Sequence, residues 1–264
     1  MSMFEKGNFI FRDMFDSMSV PSMLKRHMHN EYELYFFLQG NVDYTLGSSL
    51  YHLNAGDMLF IRPTVFHFPK ILSDMPYHRI YFNFSKEHVH SDLQQNLNDF
   101  SPFYHIAKES IIHKLYKNAI YSVERYQDQD KYNVLIKYLN LILTELKYNA
   151  SNENSKTTIP VHPLLSEILQ YIETNLANIL SLTSIANEFF VSPSWITHTF
   201  HKYMNIGAMQ YITRKKILIS QQLIENGIPP TEAAERCGFR NYSTFYLQYK
   251  KILGTNPAAD KSNR

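Results

Sequence analysis

The chain has a single cysteine, Cys237, among its 264 residues. A disulfide framework and a cysteine-ligated metal cluster are therefore both excluded, and the pattern fits a cytoplasmic protein. No apolar run is long enough to cross a bilayer, so no membrane association is expected. The first residues, MSMFEKGNFIFRDMF, scatter charges where a signal peptide needs an apolar core. A strong charge of either sign is missing too. The small net charge of +2 is unevenly divided: +3 from Pro160 onward and −1 over the 159 residues before it. The later part is thus the expected partner of a polyanion. Apolar residues make up 44% of the chain, enough at this length for the cores of two ordinary domains.

From His27 to about Phe84 the period is two. Residues 1–26 read as an arm or edge strand with Phe9, Phe11 and Phe15 alternating. YELYFFLQG, VDYTL, SLYHLNAGDMLFIRP and YHRIYFNFS then alternate or run apolar and stop at Gly, Asn or Pro. Short strands with turns between them argue for a compact β-sandwich or barrel. The period then becomes helical, with helices expected within about 108–148. Leu135, Leu139, Ile142 and Leu146 form one stripe. That stripe must be buried, against the β-domain or against the same helix of a second subunit, and it is the expected dimerisation surface.

Residues 149–159 contain NASNENSKTT, which has no large apolar residue and is expected to be a flexible linker. After it come two segments of one pattern. LTSIANEFFVSPSWITHTFHKY is an amphipathic helix, a break at Val191-Ser192-Pro193, and a second short helix. TEAAERCGFRNYSTFYLQYKKILG repeats the plan around a turn at Cys237-Gly238-Phe239. Ala186 and Ala234 stand where crossing helices need small side chains. Between the segments, Gly207 to Glu225 is broadly apolar and reads as a central helix packed on both. Two helix-turn-helix units in one chain imply contact with two successive major-groove segments of double-stranded DNA. The plain alternative is two ordinary helix pairs sharing a core.

IANEFFVS, WITHTFHKY, QYITRKKI and the run GF–x5–F–x3–Y–K–K–x2–G–x2–P, from Gly238 to Pro257, resemble the AraC/XylS family of bacterial transcription regulators. HMHNEYELYFFLQG and GDMLFIRPTVFH resemble the cupin-like effector domain common in that family. The resemblance implies a two-domain α+β protein. Residues 1–148 would form a cupin-like β-barrel or sandwich with dimerisation helices, and 160–264 an all-α domain with two helix-turn-helix units joined by a central helix. It implies a dimeric, sequence-specific DNA-binding regulator, responsive to a small molecule and in contact with RNA polymerase if it is an activator. This sequence departs from the family's pattern at Asn205, where a Gly is usual, at Gly207-Ala208, His201, Lys216, Ser220, Pro230, Ala233 and Leu247, and in its final DKSNR.

On the first recognition helix the outward residues are expected to be Ser194, Thr197, His198, His201 and Lys202. Thr197 and His198 would meet base edges, and His201 and Lys202 phosphate. For the second helix the outward set is Asn241, Tyr242, Ser243, Tyr246, Leu247 and Lys250, with Arg240 just before it. Arg240 and Lys250 would meet phosphate, Leu247 offers only apolar contact, and Asn241 has a competing use as a helix cap. Of the basic run Arg214-Lys215-Lys216, helix geometry keeps the three from sharing one surface.

In the front half, His27, His29, Glu33 and His67 follow the order and spacing of the metal-binding cupin pattern. Three imidazoles and one carboxylate suit Fe, Mn, Ni or Zn, so a metal-dependent cupin enzyme is the alternative function. The preferred reading is not an enzyme and has neither cofactor nor metal. His27, His29, Glu33, Tyr35, Tyr44 and His67 would line a pocket for a small polar effector such as a sugar or small acid.

Overall fold

A computed structural model of the protein describes residues 2–18, 22–23, 26–149, 159–178 and 181–261. The chain divides into two compact units. One comprises Met1–Leu46 and Leu50–Ile159, the other Gly47–Ser49 and Pro160–Arg264. Most of the expected linker, residues 150–158, lies outside the described residues.

The first unit opens with a hairpin, β1 (Ser2–Lys6) and β2 (Phe9–Asp16), followed by the short β3 (Ser22–Met23). The next strands are β4 (Tyr32–Gln39), β5 (Val42–Leu46), β6 (Ser49–Leu53), β7 (Asp57–Ile61), β8 (His67–Ile71) and β9 (Tyr77–Phe84). After a short helix, α1 (Ser91–Gln94), comes β10 (Phe103–His105), then α2 (Ile111–Arg125) and α3 (Asp128–Asn149). One sheet has the order β1-β2-β9-β4-β7-β10; in the second, β6, β5, β8 and β3 lie side by side.

The expected closed cupin-like barrel or sandwich is not what forms. The six-stranded sheet is open, ending at β1 on one side and β10 on the other, and among the described residues no strand belongs to both sheets. The reason lies in what covers β1. Phe4 meets the ring of Tyr132, Ser2 donates to Glu124 and Lys6 donates to Gln129. The helices take the place that barrel closure would give to a strand.

Alternation along β4 and β9 separates two apolar layers. Leu34, Phe36, Ile80, Phe82 and Phe84 join Phe9 and Phe11 on the helix-facing side. Leu135, Leu139, Ile142 and Leu146 of α3 are buried in that layer, against the chain's own sheet. The stripe expected to pair subunits is thus used within the protomer. On the opposite side Tyr35, Phe37 and Tyr77 meet Val42, Tyr44 and Ile71 of the second sheet, and Glu33 has the same parity. The turn before β7 depends on Gly56 (φ +97°), where a Cβ would lie 2.8 Å from the Ile106 carbonyl oxygen.

The second unit is helical: α4 (Pro163–Thr174), α5 (Leu182–Glu188), α6 (Pro193–Met204), α7 (Ala208–Glu225), α8 (Pro230–Arg236), α9 (Tyr242–Leu253) and α10 (Pro257–Lys261). Helix α7 contacts α6 of the first pair and both α8 and α9 of the second. Ile217 and Ile224 of α7 share a core with Ala233, Ala234, Phe245 and Tyr249. Asn205 ends α6 in the left-handed region (φ 49°), with its N–H donating to the His201 carbonyl 3.0 Å away. Asn tolerates that conformation better than most residues, which accounts for its standing where a Gly is usual.

Gly238 turns the chain between α8 and α9 at φ +70°, and a Cβ there would run into the Ala177 carbonyl. Gly238→Ala should lower the stability of this unit by about 1–3 kcal/mol from backbone strain alone. Chemical denaturation of the variant checks this; an unchanged midpoint would show that the turn relaxes freely.

Candidate nucleic-acid interface and amino-terminal polar cluster

The two helices that follow the turns are of equal length, 12 residues each, and start in the same manner. Ser192 caps α6 by accepting from the Trp195 N–H at 3.1 Å, with Pro193 in the first turn. Asn241 caps α9 by accepting from the Thr244 N–H at 2.8 Å. The cap satisfies a first-turn donor and fixes where each helix begins.

Every expected outward residue of α6 is exposed: Ser194, Thr197, His198, His201 and Lys202. Their spacing of three and four puts them on one face, while Ile196, Thr199 and Phe200 are buried. The Thr197 hydroxyl donates to the Pro193 carbonyl at 3.0 Å, leaving its oxygen lone pairs and methyl group outward. On α9, Tyr242, Ser243, Tyr246, Leu247 and Lys250 are exposed, as are Arg240 and Asn241 ahead of them. Leu247 stands 66% exposed, an unusual place for a leucine on a face with no neighbouring core.

The dense basic run does not reach the surface as a run. Lys215 is buried and pairs with Glu173. Buried Lys216 donates to the carbonyls of Asn178 and Gly238 at 3.1 and 3.2 Å, and burial lowers its pKa. These two lysines hold the end of α4 and the second turn against α7, so they are unavailable to a phosphate.

In the first unit, His27, His29, Glu33 and His67 come together, with one potential ligand atom from each lying within 4.8 Å of the others. A bridge of backbone bonds, His27 N–H to the His67 carbonyl at 3.3 Å and the reverse at 3.0 Å, clamps the two histidine segments side by side. The Thr64 N–H fixes the His29 carbonyl at 2.7 Å. Tyr35 and Tyr44 lie beside the cluster with ring centroids 4.9 Å apart, so all six residues of the expected pocket are neighbours.

Burial alone would raise the Glu33 pKa, but the imidazoles of His29 and His67 beside it outweigh that and hold the carboxyl well below its usual range. Burial would lower that of His29; the hydrogen bond to Glu33 and the charges of Glu33 and Glu31 turn the balance and raise it.

Tyr77 and Arg79 belong to the same neighbourhood and were absent from the expected set. The Tyr35 and Tyr77 hydroxyls share a hydrogen bond of 2.5 Å, and the Arg79 guanidinium lies 4.1 Å from the Tyr77 ring centre and pairs with Asp16. The signal was present in YHRIYFNF, where alternate positions from Tyr77 carry the polar and phenolic groups.

Residues 185–262 match the model of a helix-turn-helix domain, and residues 20–117 match that of an AraC-like ligand binding domain. The chain is a DNA-binding transcription regulator whose front part resembles AraC-like ligand binding domains. Both matches favour the regulator over the alternative of a metal-dependent cupin enzyme.

It is 22% identical over 241 residues to the Msm operon regulatory protein of Streptococcus mutans, covering 88% of this chain and 84% of that one. The probable transcriptional regulator LumQ of Photobacterium leiognathi is 31% identical over 88 residues, a third of this chain and 36% of that one. Among solved structures, ToxT of Vibrio cholerae covers 96% of the regulator and 97% of its own chain at 14% identity and a TM-score of 0.38. The carboxyl-terminal domain of AraT, a response regulator of Geobacillus stearothermophilus, covers 39% and 88% at 24% identity and a TM-score of 0.38. Among the described residues no helix is long and apolar enough to cross a membrane.

Proposed function

We propose that the regulator reads its operator with the outward faces of α6 and α9, each lying in a major groove. A small polar effector held at the His27–His67 cluster would adjust that binding. The observation that carries the reading is the pairing itself: two capped helices of equal length, each with a polar outward face and a buried aromatic inner face, joined through α7. Helix α6 offers hydroxyl and imidazole groups able to meet base edges. Helix α9 offers phenols, a leucine and the flanking cations Arg240 and Lys250, a set better suited to positioning on phosphate and to a thymine methyl.

A homodimer belongs to this proposal, with a changed surface. Since Leu135, Leu139, Ile142 and Leu146 are buried within the protomer, pairing through α3 would use the opposite face, where Leu141 and Tyr148 are exposed.

The test is selection of binding sites from random duplex DNA with the full chain, followed by footprinting. The expected site has two similar half-sites, each spanning adjacent grooves on one face of the duplex, and affinity should fall steeply with salt. Failure to enrich any sequence at low salt would defeat the reading. Thr197→Ala and His198→Ala should leave the melting temperature unchanged and weaken discrimination at single base pairs by about 1–3 kcal/mol; a uniform loss on all sequences would assign them to phosphate. Transcription in vitro from a promoter carrying the selected site then reads activation, and with it contact to RNA polymerase.

A further inference from the structure

The hydrogen bonds around the histidine cluster contain a problem that protein groups alone do not solve. The His67 Nδ1–H donates to the Val65 carbonyl at 2.8 Å, and the His29 Nδ1–H donates to the Glu31 carbonyl at 3.0 Å. In the neutral tautomers this fixes, each Nε2 carries a lone pair. Both lone pairs point at the same acceptor, Glu33 Oε2, from 3.2 Å for His29 and 3.6 Å for His67. Lone pairs facing a carboxylate repel unless a positive centre lies between them.

A proton on His29 meets only part of the requirement. It gives His29 a donor for Glu33 and leaves the His67 Nε2 as it stands: fully buried, aimed into the cluster, beyond hydrogen-bond distance of Glu33 and without another partner. A buried polar atom with no partner is uncommon and costly. The atom needs a ligand.

The spacing says which kind. Atoms bound to one metal ion at about 2.0–2.2 Å, at angles between octahedral and tetrahedral, are about 3.0–3.5 Å apart. The two nitrogen-to-oxygen distances fall at or just beyond that range. The third imidazole, His27, is held by its backbone bridge to His67, with its ring centre 4.3 Å from the His67 ring and 5.6 Å from that of His29. The Nδ1 bonds to backbone carbonyls are the outer contacts that orient metal-ligating histidines.

We infer that His27, His29, Glu33 and His67 bind one divalent first-row transition-metal ion of the Zn²⁺, Fe²⁺ or Ni²⁺ class. Three neutral imidazoles and one carboxylate select such an ion over Ca²⁺ or Mg²⁺, which take oxygen ligands, and the lack of a thiolate in the set disfavours softer ions. The inference deepens the effector reading by naming a ligand of the same cluster, and it rests on that reading only for any effect on DNA. Bound metal would join the segment before β4, β4 itself and the start of β8, tying the two open sheets together at one end.

The experiment uses the full chain after dialysis against a chelator. Titration with ZnCl2 by calorimetry should show one saturable equivalent, and Co²⁺ should give visible d–d absorption that Zn²⁺ abolishes. Zn²⁺ should also raise the melting temperature with concentration, as any ligand of the folded state does. His67→Ala and Glu33→Gln should weaken binding by about tenfold or more, while His201→Ala, on exposed α6, should not. Since His67 is buried and its variant can fail to fold, His29→Asn, at a partly exposed position, supplies a second variant, with circular dichroism as the check on both.

No saturable equivalent and no Co²⁺ spectrum from the folded wild-type chain would overturn the inference. So would folded variants that bind as the wild type does, since the site would then be elsewhere. The selection experiment separates the two readings. One equivalent of metal on a chain that selects no DNA leaves the site standing and removes the proposed reading by α6 and α9, and DNA selection without metal does the reverse.

Discussion

Phe245→Ala will destabilise the carboxyl-terminal unit by about 3–5 kcal/mol, the usual loss for truncating a buried phenylalanine. Phe245 is fully buried, and its ring meets those of Phe239, Tyr242 and Tyr249 at centroid distances of 5.3–5.6 Å. Removing it empties the centre of the core that α7, α8 and α9 share. Adjacent residues can collapse only in part, because Phe239 sits on the turn and Tyr249 is tied by its hydroxyl to Asp260 at 2.5 Å. Phe200→Ala should do the same to the first helix pair, where its ring meets Tyr211 at 5.8 Å. Denaturant unfolding of both variants provides the measurement. A loss under about 1 kcal/mol at either site would mean that the ring does not fill the core as described.

Replacing Lys216 with Met should cost about 1.5–3 kcal/mol, the range for a hydrogen bond to a charged group. The side chain is close to Met in length and is buried, so the substitution keeps the packing and removes the two carbonyl contacts to Asn178 and Gly238. The Asn178 backbone lies in an exposed stretch where water can replace the lysine, which argues against the sum of two full bonds. If Lys216 instead faced DNA, the variant would keep its stability and lose affinity with a shallower salt dependence. Unfolding and binding measured on one preparation separate these outcomes.

The outward faces of α6 and α9 were legible because helical period is a local property. Once the caps at Ser192 and Asn241 fix where each helix starts, residue spacing decides what points out. The stripe on α3 was legible to the same extent and no further. Periodicity shows that Leu135 to Leu146 must be covered, and does not say whether the cover is the chain's own sheet or a second subunit.

Sheet closure is not local at all. The open sheet follows from β2 pairing with β9, from β10, a three-residue strand, pairing with β7, and from helices covering β1. None of those partners is adjacent in sequence. Lys215 and Lys216 read as part of a basic run until Glu173 and the turn carbonyls, around forty residues and twenty residues away, took them inward. For the histidine cluster, spacing brought the right residues together and ranked a polar pocket above a metal. The metal proposal rests on the direction of two Nδ1–H bonds, which no spacing reveals.

Helix α7 has a consequence for how such a protein can change. Both turn-helix pairs are packed on one continuous 18-residue rod. One residue added to the rod turns everything beyond it by about 100° and advances it about 1.5 Å. The second pair would then face a different direction while the first kept its own. Small insertions cannot adjust the pitch between the pairs, so under the proposed reading operator preference would drift through substitutions at Thr197, His198 or Leu247 while the spacing of α6 and α9 stays fixed, as the span of a caliper locked at one setting.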